Sequence, residues 1–180
     1  KYDANGNLVS VTDALNNETK YEYDYEDKLV KVINAKGNEE TLTYDAKGRI
    51  SVFEDALKNK TNYEYDERDN LIGIKDALGR QVFTAAYDEL GNMKTFTDAL
   101  GNKTMNSYDK MGRLVETVNA LGKKTKFKYD KLGRLEEVED ALLGISQQTY
   151  NSNGSVKSLI DPNQNEISFE YDEAGRLISE

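Results

Sequence analysis

A tyrosine recurs along this chain at nearly constant spacing, and this repeat constrains the fold more than any other feature. Each interval is 21 residues except the one from Tyr65 to Tyr87, which is 22. Asp follows every repeated tyrosine except Tyr150. A period of about 20 to 50 residues indicates a repeat architecture, in which one unit cannot bury its apolar face alone. The tyrosines that begin the units are Tyr2, Tyr23, Tyr44, Tyr65, Tyr87, Tyr108, Tyr129, Tyr150 and Tyr171.

The composition excludes several functional classes. The chain has a net charge of −9, and its hydrophobic fraction of 37% is below the usual range for globular domains. It contains neither Cys nor His, which excludes disulfides and zinc sites built from those residues. No apolar run reaches the roughly 20 residues of a membrane span. We expect residues 1–180 to be a single repeat array cut from a longer one, with no cofactor and no membrane partner.

Each unit contains a predicted tight turn directly after its tyrosine. Counting the tyrosine as position zero, Asp stands at +1 and Gly at +4, which is the pattern of a type I turn. We predict a positive φ at Gly133, as in a hairpin with a G1 bulge. Asp27 and Asp69 replace Gly in two units, and Asp tolerates the left-handed region better than most residues. The glycines at +4 are Gly6, Gly48, Gly91, Gly112, Gly133, Gly154 and Gly175.

Two segments of each unit are predicted strands. One covers about +6 to +10, and the other precedes the next tyrosine, as in residues 19–23. The second segment alternates between apolar and polar residues, with Tyr21 and Tyr23 on one face. In the first segment the apolar positions +6 and +9 have opposite parity, which either a β-bulge or a short bent strand would reconcile. A second Asp-initiated turn, such as Asp98-Ala99-Leu100-Gly101, connects one hairpin to the next.

These patterns predict an all-β fold of tandem 21-residue β-hairpin repeats that form one long curved antiparallel sheet of about sixteen strands. A parallel β-helix with one coil per unit is the alternative, but two tight turns per unit reverse the chain twice and therefore favour hairpins. In the 22-residue unit we predict a β-bulge between Gln81 and Ala86, because an unbulged extra residue would flip the faces of the strand.

The repeat resembles the Rhs/YD-repeat family over the whole chain. The segments Tyr44-Asp45-Ala46-Lys47-Gly48-Arg49-Ile50 and Tyr171-Asp172-Glu173-Ala174-Gly175-Arg176-Leu177 are near copies of the family motif. The family includes Rhs polymorphic toxins, wall-associated proteins, shell subunits of insecticidal toxin complexes, and teneurins.

The resemblance implies a segment of a hollow β-shell in a secreted or cell-surface protein. The implied partners are neighbouring repeats and, in bacterial members, an encapsulated C-terminal toxin or effector domain. The family's Asp-Pro-x-Gly autoproteolytic element is missing, since Asp161-Pro162 is followed by Asn163-Gln164. The resemblance therefore implies that the chain is part of a shell wall, and it implies neither a protease nor a toxin within these residues.

Repeated carboxylates are the first candidates for chemistry. Equivalent positions lie two strands apart, about 10 Å, whereas paired catalytic carboxylates lie about 5–9.5 Å apart. Calcium needs six to eight oxygen ligands, more than one acidic side chain per turn supplies. We interpret these residues as turn formers that accept backbone N–H bonds. The first row is Asp3, Asp24, Asp45, Asp66, Asp88, Asp109, Asp130 and Asp172, and the second is Asp13, Asp55, Asp76, Asp98, Asp140 and Asp161.

The tyrosine-rich face suggests an alternative function, a carbohydrate-binding or adhesion module. Tyr21 with Tyr23, and Tyr63 with Tyr65, are neighbours on one face and could stack on a glycan. The competing interpretation is that the rings pack on the apolar residues at +6 and +9 of adjacent strands. A glycan that binds wild type but not a chain with Tyr21→Ala and Tyr63→Ala would favour the module.

The remaining candidates are weak. Lysines at 123, 124, 126, 128 and 131 form the only basic cluster, which a polyanion could bind. The glutamates at 136, 137 and 139 follow across the turn, so cross-strand ion pairs explain both runs. The overall negative charge argues against nucleic acid. We predict no catalytic, cofactor or metal site and a non-enzymatic role, and we expect the fragment to self-associate through open strand edges.

Overall fold

The computed structural model describes all residues from Lys1 to Glu180, and it consists of strands and turns. It has no helix with the length and apolar character that a membrane span needs. Sixteen strands form one antiparallel sheet in which the strand order follows the chain order. The chain divides into two compact units, which are residues 1–85 with 98–100 and residues 86–97 with 101–180.

The strands alternate between the two predicted segments of each repeat. The predicted all-β hairpin meander is confirmed, and the β-helix alternative is wrong. The sheet consists of β1 (Ser10–Thr12), β2 (Glu18–Tyr23), β3 (Leu29–Ile33), β4 (Glu39–Tyr44), β5 (Ile50–Glu54), β6 (Lys60–Tyr65), β7 (Leu71–Lys75), β8 (Gln81–Tyr87), β9 (Met93–Asp98), β10 (Lys103–Tyr108), β11 (Leu114–Val118), β12 (Lys124–Tyr129), β13 (Leu135–Glu139), β14 (Ile145–Tyr150), β15 (Val156–Ile160) and β16 (Glu166–Ser168). A separate pair contains β17 (Glu170–Tyr171) and β18 (Leu177–Ser179).

A β-bulge lies beside the repeated tyrosine and resolves the parity conflict at +6 and +9. In the second repeat, Tyr23 pairs with Leu29 and Glu22 pairs with Lys31, so Val30 is the extra residue. The same shift recurs in the hairpins that begin at Tyr44, Tyr65, Tyr108, Tyr129 and Tyr150. Because one residue is added, the apolar side chains at +6 and +9 lie on the same face as the tyrosine.

All turns of both kinds place their fourth residue in the left-handed region. The predicted positive φ is confirmed at Gly133, where φ is 82°, and at Asp27 and Asp69, where it is 61° and 69°. Lys58 and Leu143 occupy the same position in second turns, with φ of 68° and 65°. The turn geometry is therefore kept even where the residue type does not favour it.

The 22-residue unit contains the predicted bulge, at Val82. Ile74 pairs with Phe83, whereas Lys75 pairs with Gln81, so Val82 has no partner in the ladder. The Gln81 Nε2 atom donates to the Phe83 carbonyl at 2.5 Å and bridges the bulge. The extra residue is thus absorbed locally and the faces of β8 beyond it are preserved.

Each of the two compact units is a single layer with very little fully buried surface. Ser10, Gly73, Ala85 and Ser158 are the buried residues, and no large side chain is fully buried. In β12 the residues Thr125, Phe127 and Tyr129 are half-buried, while the lysines between them are exposed. In this strand one face is therefore partly covered by neighbouring side chains and the other is open to solvent, whereas all five residues of β3, β5 and β11 are half-buried.

Replacing a turn glycine should reveal the cost of the left-handed conformation. We expect Gly133→Ala to lower the free energy of unfolding by about 1 kcal/mol or more, and Gly133→Asn by less. A Cβ at Gly133 would lie 3.3 Å from Arg113 Nη1, whereas one at Gly91 would meet nothing within 4 Å. Gly91→Ala is therefore the control for crowding. Equal losses for Ala and Asn, measured by urea unfolding, would contradict the assignment.

Candidate functional site

The repeated tyrosine binds the backbone of the preceding repeat through its hydroxyl group. In six repeats the hydroxyl donates to the carbonyl of the +6 residue, fifteen positions earlier in the chain. The oxygen–oxygen distances range from 2.6 to 3.0 Å. The pairs are Tyr23 with Leu8, Tyr44 with Leu29, Tyr65 with Ile50, Tyr108 with Met93, Tyr129 with Leu114, and Tyr150 with Leu135.

This bond occurs where the backbone pairing between successive hairpins ends. The ladder between β1 and β2 stops at Ser10 and Lys20, and the Val9 carbonyl then accepts from the Tyr21 amide. The next carbonyl, that of Leu8, accepts from the Tyr23 hydroxyl at 3.0 Å. Because an unpaired carbonyl in a partly buried position is costly, the tyrosine side chain extends the link between hairpins by one hydrogen bond.

A cation at position +5 covers the ring of the same tyrosine. The guanidinium carbon of Arg49 lies 4.5 Å from the centre of the Tyr65 ring, and that of Arg134 lies 4.3 Å from the Tyr150 ring. Arg113 covers Tyr129 in the same way, at 4.7 Å. Such cation–π contacts contribute about 0.5–1 kcal/mol at exposed sites.

The Asp at +1 holds this arginine and forms the turn. Asp45 Oδ1 accepts from the amides of Lys47 and Arg49 at 2.9 and 3.0 Å, while Asp45 Oδ2 accepts from Arg49 Nε at 2.7 Å. We call the set of Asp at +1, the cation at +5, the +6 carbonyl and the next tyrosine the tyrosine clasp. Asp and Gly shape the turn, Arg covers the ring, and the +6 residue supplies the acceptor, so each part of the repeated motif has a structural role.

The turn carboxylates are stabilised in their ionised form. The hydrogen bond from the Arg49 side chain lowers the pKa of Asp45 from 3.8 to about 2, and the Arg49 amide adds to this effect. The Arg113 side chain likewise lowers the pKa of Asp109, and the Asn59 side chain lowers that of Asp55 in a second turn. A carboxylate with a lowered pKa that is already bound by its own turn is a poor proton acceptor at neutral pH.

The structure places the predicted carboxylates in turns and brings none of them together as a metal site. No group of three or more His, Cys, Asp or Glu side chains is arranged to hold a metal ion. Tyr21 and Tyr23 share a face, but the Tyr23 hydroxyl is bound to backbone. Tyr25 differs from the repeated tyrosines because it lies in a turn and is 93% exposed.

Cross-strand ion pairs account for the centre of the basic cluster. Lys126 pairs directly with Glu139, with 2.9 Å between their charged atoms, and Lys128 pairs with Glu137 at 2.5 Å. Lys124 bonds instead to Glu116 on the other neighbouring strand, at 3.3 Å. The cluster therefore contains lysines that are already neutralised by carboxylates on both sides.

The sequence did not predict the role of position +5. Arg49, Arg113 and Arg134 recur at this position, and Lys28 lies 5.7 Å from the Tyr44 ring in the same way. The recurrence of a cation after the turn glycine was the available signal. The tyrosine ring that each cation covers lies sixteen residues further along the chain. The contact is therefore recognisable only once consecutive hairpins are paired.

Two family models match consecutive parts of the chain. The model described as Teneurin YD-shell matches residues 39–180, and the model described as RHS Repeat matches residues 2–39. No curated protein matches the chain.

Two solved structures of toxin complexes are similar to the chain. A mutant Tc holotoxin pore from Photorhabdus luminescens is 16% identical, with a TM-score of 0.64 over 98% of this chain and 13% of that chain. A TcdB2-TccC3 structure is also 16% identical, with a TM-score of 0.50 over 98% of this chain and 16% of that one. At this identity the likeness concerns the fold alone, and the chain spans less than a fifth of either protein.

Removing one clasp hydroxyl should weaken the structure without changing its surface. We expect Tyr129→Phe to lower the free energy of unfolding by about 1 kcal/mol, because the Leu114 carbonyl loses its donor in a partly buried position. Tyr25→Phe removes a hydroxyl from an exposed turn and is the matched control, with an expected change near zero. Urea unfolding would measure both, and equal effects would mean that the hydroxyl bond is not stabilising.

Acid should weaken the clasps in a defined pH range. The folded-state pKa of Asp45 is lowered, so the ionised carboxylate stabilises the folded state fully above about pH 4. This stabilisation is lost as the pH falls from 3.8 to about 2. Asp45→Asn should therefore make the free energy of unfolding less dependent on pH in this range. Asn34, Asn119 and Asn151 occupy equivalent turn positions, so the turn itself should survive. Identical slopes for wild type and variant would contradict this expectation.

Proposed function

The chain belongs to the teneurin YD-shell family of Rhs/YD-repeat proteins, and from this membership we propose that residues 1–180 form one repeat array in the wall of an enclosing β-shell. A structural shell role follows from the family and the fold. The wall would enclose a C-terminal toxin or effector domain of the parent chain. The parent protein would lie outside the cell or on its surface, and the repeats would have a non-enzymatic role.

The single-layer sheet is the observation that carries the proposal. A domain that binds or transforms a small molecule usually surrounds it with a second layer or a closed core. Here four residues are buried and no large side chain is fully buried. A layer of this kind has two accessible faces and divides space, which is the property that a shell wall requires.

The tyrosine clasp supports the same role. At six junctions it joins a hairpin to the preceding one through the same hydroxyl bond, and in three of these an arginine covers the ring. Because each clasp involves only consecutive repeats, the array can be extended without any new type of contact. The repeated motif thus forms the wall of the shell, and any catalytic activity inside the shell would belong to another part of the parent protein.

Limited proteolysis of the full-length parent chain would test the proposal. We expect the domain that follows the array to resist a protease while the array is intact. Opening the clasps with Tyr129→Ala and Tyr150→Ala should make that domain cleavable at lower protease concentration, whereas Tyr25→Ala should not. Equal cleavage of the following domain in the wild type, the clasp variant and the isolated domain would overturn the proposal, because the wall would then enclose nothing.

A further inference from the structure

The turn at residues 151–155 is held together by different hydrogen bonds from the other first turns. Its sequence is Asn-Ser-Asn-Gly-Ser. In the usual first turn the +1 carboxylate accepts the backbone amides of positions +3 and +5, as Asp130 does at 2.9 Å. Here the amide of Ser155 donates instead to the side chain of Asn153, at 3.1 Å. We call residues 151–155 the asparagine turn.

The presence of Asn151 in place of Asp does not explain the difference by itself. Asn34 and Asn119 also begin turns, and each still accepts two backbone amides through its Oδ1 atom, at 2.9–3.1 Å. Ser155 is the only residue at +5 with a hydroxyl group, and Asn151 Nδ2 donates to this hydroxyl at 2.9 Å. The serine hydroxyl is therefore the feature that sets this turn apart.

The side-chain carbonyl oxygen of Asn153 accepts two hydrogen bonds, and both come from Ser155. The hydroxyl donates at 2.8 Å and the backbone amide at 3.1 Å. Because Asn151 donates to the same hydroxyl, the three residues form a chain of hydrogen bonds in which each bond polarises the next. Two donors on one carbonyl oxygen stabilise the negative charge that develops there when a nucleophile attacks the carbonyl carbon, as in an oxyanion hole.

The nucleophile within reach along the chain is the backbone nitrogen of Gly154. Its attack on Asn153 Cγ closes a small imide ring, and both residues are exposed to water. A Cβ built at Gly154 would meet nothing within 4 Å, so no neighbouring group crowds this side of the turn. The amide of Gly154 donates to the Asn151 carbonyl at 3.0 Å, and this bond has to open before attack. Glycine has the backbone freedom for that movement.

We propose that the asparagine turn is a self-modifying site, at which the Gly154 nitrogen attacks Asn153 Cγ. The new bond from nitrogen to Cγ closes a succinimide, the bond from Cγ to Nδ2 breaks, and the Gly154 proton passes through water to the leaving ammonia. Water then opens the ring, at Cγ to give aspartate or at the backbone carbonyl carbon to give isoaspartate. Ser155 supplies both donors to the reacting carbonyl, and Asn151 is the positioning residue for the serine hydroxyl.

The isoaspartyl product changes the geometry of the turn. Its backbone passes through Cβ and Cγ and is longer by one carbon atom, within a turn that the Asn151 amide closes on the Ser155 carbonyl at 2.9 Å. The turn joins β14 to β15, and its length sets the register in which Tyr150 pairs with Val156. The modification therefore loosens one hairpin of the array as the protein ages.

Incubating the folded chain in mildly alkaline buffer and mapping its peptides by mass spectrometry would test this proposal. We expect Asn153 to convert to aspartate and isoaspartate, and Ser155→Ala to slow the conversion about fivefold, the effect of one ordinary hydrogen bond on a rate. Asn5 is also followed by glycine, but it donates its amide to Asp27. It is the internal control and should convert at the same rate in both proteins. A rate at Asn153 that Ser155→Ala leaves unchanged would overturn the proposal.

A second variant and an unfolded reference separate the turn geometry from other causes. Asn151→Asp restores the carboxylate of the other first turns, which should draw the Ser155 amide away from Asn153 and slow conversion about threefold or more. Partial unfolding would free the Gly154 nitrogen and speed conversion, so damage to the fold cannot produce slower conversion. In guanidinium chloride, wild type and both variants should convert Asn153 at equal rates. Differences that persist there would mean that local sequence sets the rate, and the proposal would be wrong.

Discussion

The hydrogen bond from the tyrosine hydroxyl to a carbonyl of the preceding repeat, which recurs at six junctions, is the contact on which the rest of the array depends. Within a hairpin, backbone ladders and tight turns hold the two strands together. Between hairpins the ladder ends before the first turn, and the tyrosine side chain bridges the remaining distance, as Tyr23 does to Leu8. Because no second layer buries a core, this joint and the short backbone ladders beside it hold consecutive repeats together. The array should therefore behave as a chain of nearest-neighbour interactions.

The bulge beside the tyrosine makes this joint possible. A regular ladder would place +6 and +9 on opposite faces, so half of the apolar residues of each short strand would point away from the tyrosines. With Val30 as an extra residue, Leu29 and Val32 both share the face of Tyr23. The rings then lie beside aliphatic side chains, with the arginine of the preceding turn above them in several repeats. The bulge is thus the feature that brings the apolar residues at +6 and +9 to the face of the tyrosine.

Most of the fold was predictable because its determinants are local. Asp at the first position of each turn and Gly at the fourth act over three or four residues, and the structure shows the predicted left-handed residue at Gly133 and Asp69 alike. The bulge in the 22-residue unit followed from parity, although sequence could not choose Val82 among its neighbours. The clasp was not predictable in the same way. The Tyr65 hydroxyl meets Ile50 and the Tyr65 ring meets Arg49 only after two hairpins are paired.

At two turns an unfavourable residue adopts the left-handed conformation. The paired strands therefore constrain the turns, just as the turns constrain the strands. Lys58 and Leu143 adopt positive φ without the freedom of glycine, at a cost of order 1 kcal/mol each. Each sits between strands that are paired on both sides, so another turn geometry would shift the register of the hairpins that follow. In a repeat sheet such a shift would misplace the next tyrosine relative to its carbonyl. The fixed distance of fifteen residues between donor and acceptor therefore explains why turn length is kept even where turn sequence is not.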